Sequence, residues 1–69
     1  MEVSMKLYST TRLAEVIDEY IPNERYRLVL KLRLCENIGY EAIGEAAGYS
    51  PQWCKELVQK YRADLLALL

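Results

Sequence analysis

The chain has 69 residues, of which 52% are apolar and 28% are charged, and its formal net charge is −1. A chain of this length forms one domain whose small core supplies roughly 3–5 kcal/mol, so such domains often depend on a partner or a second copy. The sequence contains no histidine and no CxxC pair, which excludes the usual general base near neutral pH and the common zinc sites. We therefore expect a protein that is not an enzyme and that binds no metal or other cofactor.

Residues 1–8 allow two interpretations. Val3, Met5 and Leu7 alternate with polar residues, which is typical of a strand. A single short strand needs a pairing partner, whereas chain termini are usually poorly ordered, so we predict a flexible arm followed by one folded domain over residues 9–69. The sequence contains no apolar run that would span a bilayer and no visible signal peptide, so the expected location is the cytoplasm.

A first amphipathic helix is predicted after three N-cap candidates, Ser9, Thr10 and Thr11. Its apolar residues recur at three- and four-residue steps and are Leu13, Val16, Ile17, Tyr20 and Ile21. Pro22 should end the helix, because the residue before a proline is disfavoured in the helical conformation. The polar face consists of Arg12, Glu15, Asp18 and Glu19. This face is either solvated or a contact surface for a basic partner.

Residues 24–36 form the second predicted helix, with Asn23 as its N-cap. Leucines at alternating positions also fit a strand, but the abundance of leucine, arginine and lysine favours a helix. Its apolar residues nearly surround the axis, so we expect this helix to be central. Arg27 and Lys31 are four residues apart and share an outward strip, where they are either solvated or in contact with phosphate. Gly39 is expected to end this helix and to cap the next.

The clearest local signals lie between Gly48 and Pro51. Gly48 follows a short apolar pattern and suits the left-handed position after a helix, Ser50 is a strong N-cap, and Pro51 fits the first helical position. One helix therefore ends and another begins within a few residues. The apolar faces of the two helices are Ile43 with Ala47, and Cys54, Leu57, Val58 and Tyr61. Cys35 and Cys54 both fall on apolar faces, and we expect them to be buried free thiols.

The stretch Tyr40–Ser50, YEAIGEAAGYS, resembles the helix-turn-helix of bacterial sigma factor region 4 and, nearly as closely, that of LuxR-type response regulators. The upstream stretch Arg27–Leu34 is similar to the helix that precedes the motif in both families. The chain departs from their pattern at Gly44 and Cys54, where these families usually carry alanine and valine or isoleucine. The resemblance implies an all-α, four-helix domain with its helix-turn-helix core over residues 39–60, acting as a small DNA-binding transcriptional regulator.

In a helix-turn-helix, the outer face of the second helix enters the major groove. The residues expected to contact DNA there are Gln52, Trp53, Lys55, Glu56, Gln59 and Lys60, and Arg27 and Lys31 are the candidate phosphate contacts. Glutamine pairs with adenine, glutamate accepts from cytosine, and lysine reaches guanine or phosphate. The alternatives are that the polar residues are ordinary exposed side chains and that Trp53 clamps the preceding helices. Tyr49 is expected to fill the gap between the two helices.

Charge and the C-terminus indicate the expected partners. Residues 24–62 carry seven basic and five acidic side chains, a weak positive excess that predicts low, salt-sensitive affinity for double-stranded DNA. Leu65, Leu68 and Leu69 could pack on the first helix, or all four of Leu65, Leu66, Leu68 and Leu69 could form a homodimer interface that supplies the second half-site. The rival hypothesis is an adaptor that binds RNA polymerase or another transcription factor without reading DNA.

Overall fold

The computed structural model describes residues 10–69, which form four α-helices and no strand. The helices are α1 (Thr10–Tyr20), α2 (Glu24–Leu30), α3 (Tyr40–Ala47) and α4 (Pro51–Ala67), and α2 continues directly into a π-helical segment, Lys31–Cys35. The prediction of a small all-α, four-helix domain is confirmed. The predicted N-terminal arm, residues 1–8, lies outside the described part of the chain. Of the helices between residues 10 and 69, none is both long enough and apolar enough to cross a membrane.

The core is built around α2 and its π-helical extension, which together contact α1, α3 and α4. All four helices contribute to it, and the buried apolar residues are Leu13, Val16, Ile17, Ile21, Val29, Leu30, Ile43, Ala47, Cys54, Leu57, Val58 and Leu65. The three- and four-residue spacing in α1 therefore predicts its buried face correctly, with one exception. Tyr20 is 46% exposed, although Ile17 and Ile21 on either side of it are buried.

The helix boundaries follow the cap residues of the sequence. Asn23 accepts hydrogen bonds through its side-chain oxygen from the backbone N–H groups of Arg25 and Tyr26, at 2.9 and 3.1 Å. This bond pattern satisfies two of the N–H groups that every helix leaves unpaired at its start. Helix α1 ends at Tyr20, two residues before Pro22, as the proline predicts. Of the threonines proposed as caps, both Thr10 and Thr11 lie inside α1.

The connection between α2 and α3 differs from the expectation. Gly39 caps α3 in an extended conformation, but the left-handed residue that ends the preceding helix is Asn37, with a φ of 55°. Asparagine tolerates this conformation better than most residues because its short polar side chain can bond locally. The π-helical segment leads into this turn, where the Ile38 N–H donates to the carbonyl oxygen of Leu32 at 2.9 Å. The end of the helix is therefore wider than an ordinary α-helical turn.

Candidate nucleic-acid interface

Helices α3 and α4 are joined by three residues, Gly48–Ser50, and this corner sets the direction of α4. Gly48 has a φ of 82°, in the left-handed region predicted for it. The carbonyl oxygen of Gly44 accepts hydrogen bonds from the N–H groups of both Gly48 and Tyr49, at 2.8 and 3.1 Å. On the other side of the corner, the Ser50 hydroxyl accepts from the Trp53 N–H at 3.1 Å and caps α4. The corner is therefore held by hydrogen bonds at both of its ends.

The outer face of α4 carries polar side chains that no other helix covers. Cys54, Leu57 and Val58 are buried, so the rotation of α4 about its axis is the one that the sequence predicts. The predicted DNA-contacting residues Gln52, Lys55, Glu56, Gln59 and Lys60 are all exposed. Gln52 donates from its side-chain amide to the Glu56 carboxylate at 3.2 Å, so these two residues are partners of each other on this surface. A surface of this composition can both donate and accept hydrogen bonds.

Trp53 differs from its neighbours because it is half-buried in an aromatic cluster. The centroid of its ring lies 4.1 Å from the ring centroid of Tyr49 and 5.5 Å from that of Tyr26. The ring centroids of Tyr26 and Tyr61 are 6.5 Å apart. The spacings are those of favourable aromatic pairs, and they link α2, the corner and α4. Of the two interpretations of Trp53, the structure therefore supports a clamp on the preceding helices. Tyr49 takes part in the same contact, as the sequence predicts for a residue that fills the gap.

Arg27 and Lys31, the predicted phosphate contacts, are engaged within the domain. Arg27 donates from Nη1 to the carbonyl oxygens of Ile21 and Pro22, at 2.9 and 3.0 Å, and so satisfies carbonyls where α1 ends. Lys31 Nζ lies 2.6 Å from Asp18 Oδ1, and Arg27 Nε lies 3.8 Å from the same oxygen. Both side chains are therefore partly exposed and pair with α1, and their role as phosphate contacts stays a prediction. The sequence could not reveal this, because the partners belong to α1 and to the loop that follows it.

The C-terminal leucines divide into two groups. Leu65 is fully buried in the core, so it is not available to a second copy and has to be removed from the proposed dimer interface. Leu66, Leu68 and Leu69 are exposed, and Leu68, at 47% exposure, lines a shallow groove of about 270 Å³ with Val16 and Tyr20 of α1. Leu68 therefore lies beside α1, as the packing interpretation predicts, and about half of its surface stays exposed.

A polar groove lies between the end of the π-helical segment, the start of α3 and the middle of α4. The sequence does not predict it. It has a volume of about 240 Å³ and is lined by Arg33, Leu34, Asn37, Tyr40, Val58 and Arg62. Arg33 donates to the carbonyl oxygen of Ile38 at 3.2 Å and lies over the Tyr40 ring at 4.6 Å. The spacing of Arg62 predicts that it is exposed, because it lies on the same side of α4 as Lys55 and Gln59. No local pattern signals Arg33.

The two cysteines are free thiols in different surroundings. Cys54 is fully buried in the core, and burial raises the pKa of its thiol above the ordinary value. Cys35 is only half-buried, and its Sγ donates to the carbonyl oxygen of Thr10 at 3.6 Å. Burial is also the main cause that raises the pKa of Cys35, and nearby Lys31 opposes the shift. The prediction of a buried thiol is therefore confirmed for Cys54 and holds in part for Cys35.

Comparison of the chain with protein-family models, with curated proteins and with solved structures finds no match. The likeness of Tyr40–Ser50 to known helix-turn-helix segments thus remains an interpretation of the residues themselves. A functional interpretation of the chain has to be argued from its own geometry and charge.

Proposed function

We propose that the protein is a small DNA-binding transcriptional regulator that inserts the first half of α4 into the major groove. The observation that carries the proposal is the uncovered polar face of α4 directly after the fixed corner at Gly48–Ser50. An α-helix fits the major groove when its surface side chains are free to reach base edges, and the residues nearest its start usually make those contacts. In this chain the helix is rigidly seated by a buried face and by the aromatic clamp at Trp53.

The exposed side chains define which bases the helix can read. Gln52 and Gln59 can each make two hydrogen bonds to adenine, and Lys55 can donate to guanine or to a phosphate. Glu56 can accept from the cytosine amine, but it first has to exchange its hydrogen bond with Gln52 for one to the base. Each of these exposed groups exchanges a hydrogen bond to water or to a neighbouring side chain for one to DNA. The gain in free energy per contact is therefore small, and sequence preference should depend on several contacts together.

Charge limits the affinity of one copy. Arg27 and Lys31 lie beside the carboxylate of Asp18, and α3 carries exposed Glu41 and Glu45. Fewer uncommitted cations mean fewer released counterions, so non-specific binding should be weak at physiological salt. A second copy would double the interface, as helix-turn-helix proteins commonly do with two half-sites. We therefore include a homodimer in the proposal and place its apolar contact at Leu66, Leu68 and Leu69, with Tyr20 of α1 beside them.

Titration of the full chain with random duplex DNA at 50 and 200 mM salt tests the proposal. We expect binding at the lower salt that weakens steeply at the higher salt. The double substitution Lys55→Ala and Gln59→Ala should weaken binding without changing thermal stability, because both side chains are exposed. The matched control is Arg12→Ala, which also removes one positive charge but from a residue that pairs with Glu15 on α1 and is not a predicted DNA contact. Equal affinity of the wild type and the double variant would remove α4 as the contact surface.

One observation favours a second candidate, an adaptor that binds RNA polymerase or another transcription factor. Glu41 and Glu45 of α3 line a groove of about 330 Å³ together with Tyr49 and Pro51, next to the surface proposed for DNA. An acidic groove with an aromatic wall suits a basic protein surface better than a phosphate backbone. Absence of DNA binding at low salt, combined with binding to purified RNA polymerase that is lost in Glu41→Gln and Glu45→Gln, would establish the adaptor instead.

A further inference from the structure

The groove between Arg33 and Arg62 has the features of an anion site. Arg33 is oriented by two contacts, a hydrogen bond from Nη1 to the Ile38 carbonyl oxygen and a stacking contact on Tyr40. A guanidinium has five N–H donors, so these contacts fix the plane of the group and leave other donors available. Such preorganisation reduces the side-chain entropy that binding costs. Arg33 is thus held ready for a ligand rather than extended into solvent.

The groove is also lined by a second arginine, Arg62. Arg62 is exposed on α4, and in the described range 10–69 neither Arg62 nor Arg33 forms an ion pair with a carboxylate. In this respect they differ from Arg12, Arg27 and Lys31, each of which lies near an acidic side chain. Asn37 and Tyr40, which both carry a polar side-chain group, also line the groove. Two arginines that line one small groove, and that have no carboxylate partner among residues 10–69, favour a doubly or singly charged oxyanion.

The position of the groove connects it with the proposed reading face. Arg62 follows Lys55 and Gln59 along the same side of α4, at steps of four and three residues. A helix that lies in the major groove has a sugar–phosphate strand on each side, and contacts to those strands fix its register. The strand next to the start of α3 would pass the groove that Arg33 and Arg62 line.

We propose that the groove between Arg33 and Arg62 binds a phosphate group, and that in the working protein this is a backbone phosphate of the DNA that α4 enters. The second part of this inference rests on the proposed function, whereas the first part concerns phosphate chemistry alone. Both arginines lie outside the set of residues that the sequence marks as DNA contacts. They would position α4 on the duplex and would affect all DNA sequences equally, because phosphate contacts carry no base information.

The first experiment measures the salt dependence of binding to duplex DNA for the wild type, Arg62→Gln and Arg62→Lys. Removal of one phosphate contact should reduce the slope of log K against log salt concentration by about 1, equally for unrelated duplexes. Arg62→Lys should retain most of the slope because it keeps the charge. The matched control Arg12→Gln removes an arginine that pairs with Glu15 on α1, and it should leave the slope unchanged. If the wild type binds DNA and Arg62→Gln has the same slope, the DNA assignment of the groove is wrong and the proposed function is unaffected.

The second experiment keeps the phosphate site testable if the chain does not bind DNA. Amide resonances of Asn37 and Tyr40 are followed by NMR while inorganic phosphate replaces chloride at constant ionic strength. Saturable shifts in the wild type that disappear in Arg62→Gln and in the double variant Arg33→Lys with Arg62→Gln would establish a phosphate site. If the chain does not bind DNA, this result would indicate a free phosphate compound as the ligand. Absence of shifts in the wild type, together with an unchanged DNA slope in Arg62→Gln, would overturn the inference completely.

Discussion

Gly44 and Tyr49 approach each other so closely at the corner that a Cβ atom on Gly44 would lie 2.5 Å from the Tyr49 carbonyl oxygen. The same two residues are joined in the other direction, because the Tyr49 N–H donates to the Gly44 carbonyl oxygen at 3.1 Å. The obstacle is therefore backbone that is already fixed by hydrogen bonds, and it cannot rotate away as a long side chain would. The direction of α4 relative to α3 depends on the absence of a side chain at position 44.

Replacing Gly44 with alanine should destabilise the domain despite the better helix propensity of alanine. The propensity gain in a helix interior is about 1 kcal/mol, whereas overpacking against fixed structure costs about 1–3 kcal/mol. Because the obstacle is backbone, the cost should lie in the upper part of that range, about 2–3 kcal/mol, so we expect a net loss of about 1–2 kcal/mol, measured by urea unfolding followed by circular dichroism. The control is Ala42→Gly at an exposed position of the same helix, which measures the difference in helix propensity without the close contact. A Gly44→Ala variant as stable as the wild type would show that the corner yields without cost.

Ser50 is expected to contribute to stability through its cap on α4. Its hydroxyl accepts from the Trp53 N–H, and replacing such a cap by alanine typically costs about 1 kcal/mol. Ser50→Ala should therefore lower the free energy of unfolding by about that amount, and Ser50→Asp should restore it because a carboxylate is an equally good cap. Equal unfolding midpoints for all three proteins in urea would mean that the cap contributes nothing in solution.

Local signals in the sequence were sufficient where the structure depends on neighbours within one turn. Ser50 and Asn23 cap the helices they were expected to cap, and Gly48 occupies the left-handed position. The buried face of α4 follows from the spacing of Cys54, Leu57 and Val58 for the same reason. These choices are decided by bonds and contacts over three or four residues, which the sequence displays directly.

Features that depend on long-range contacts could not be predicted from local sequence patterns. Arg27 was assigned an outward position, but its guanidinium reaches the carbonyls that follow α1. Arg33 and Arg62 are 29 positions apart in the sequence and face one groove only because α2, α3 and α4 pack together. Periodicity indicates that a side chain leaves the core, and tertiary packing decides which other group it meets.

Arg27 and Lys31 should contribute differently to stability. Both are basic residues near Asp18, but only Arg27 also donates to two backbone carbonyls. Arg27→Met should lower the free energy of unfolding by about 1–2 kcal/mol, because two carbonyl groups lose a charged donor. Lys31→Met should cost about 0–1 kcal/mol, as expected for an ion pair with a partly exposed carboxylate. The measurement is thermal unfolding of both variants under one buffer condition, and equal losses would contradict the capping role of Arg27.

The buried thiol of Cys54 should make the stability of the domain depend on pH in the alkaline range. Its folded-state pKa is raised by burial, so the folded protein keeps a proton that the unfolded chain releases. The resulting stability is fully present below the ordinary thiol pKa and is lost as pH rises towards the raised value. We expect the free energy of unfolding to fall as pH rises above the ordinary thiol value of about 8.5, and Cys54→Ala, which removes the thiol, to make that decline shallower. An identical decline in the variant would assign it to other groups.

The exposed leucines at the C-terminus provide the test of self-association. Leu68 and Leu69 are partly exposed in one copy, whereas Leu65, near the end of α4, lies entirely inside the core. Leu68→Glu with Leu69→Glu should therefore reduce the mass measured by sedimentation equilibrium to that of one chain without lowering helix content. Leu65→Ala should instead unfold the domain more easily, by about 2–5 kcal/mol, since it leaves a cavity. If the wild type sediments as a single chain at every concentration, the exposed leucines do not mediate a dimer, and a single α4 helix would have to contact DNA alone.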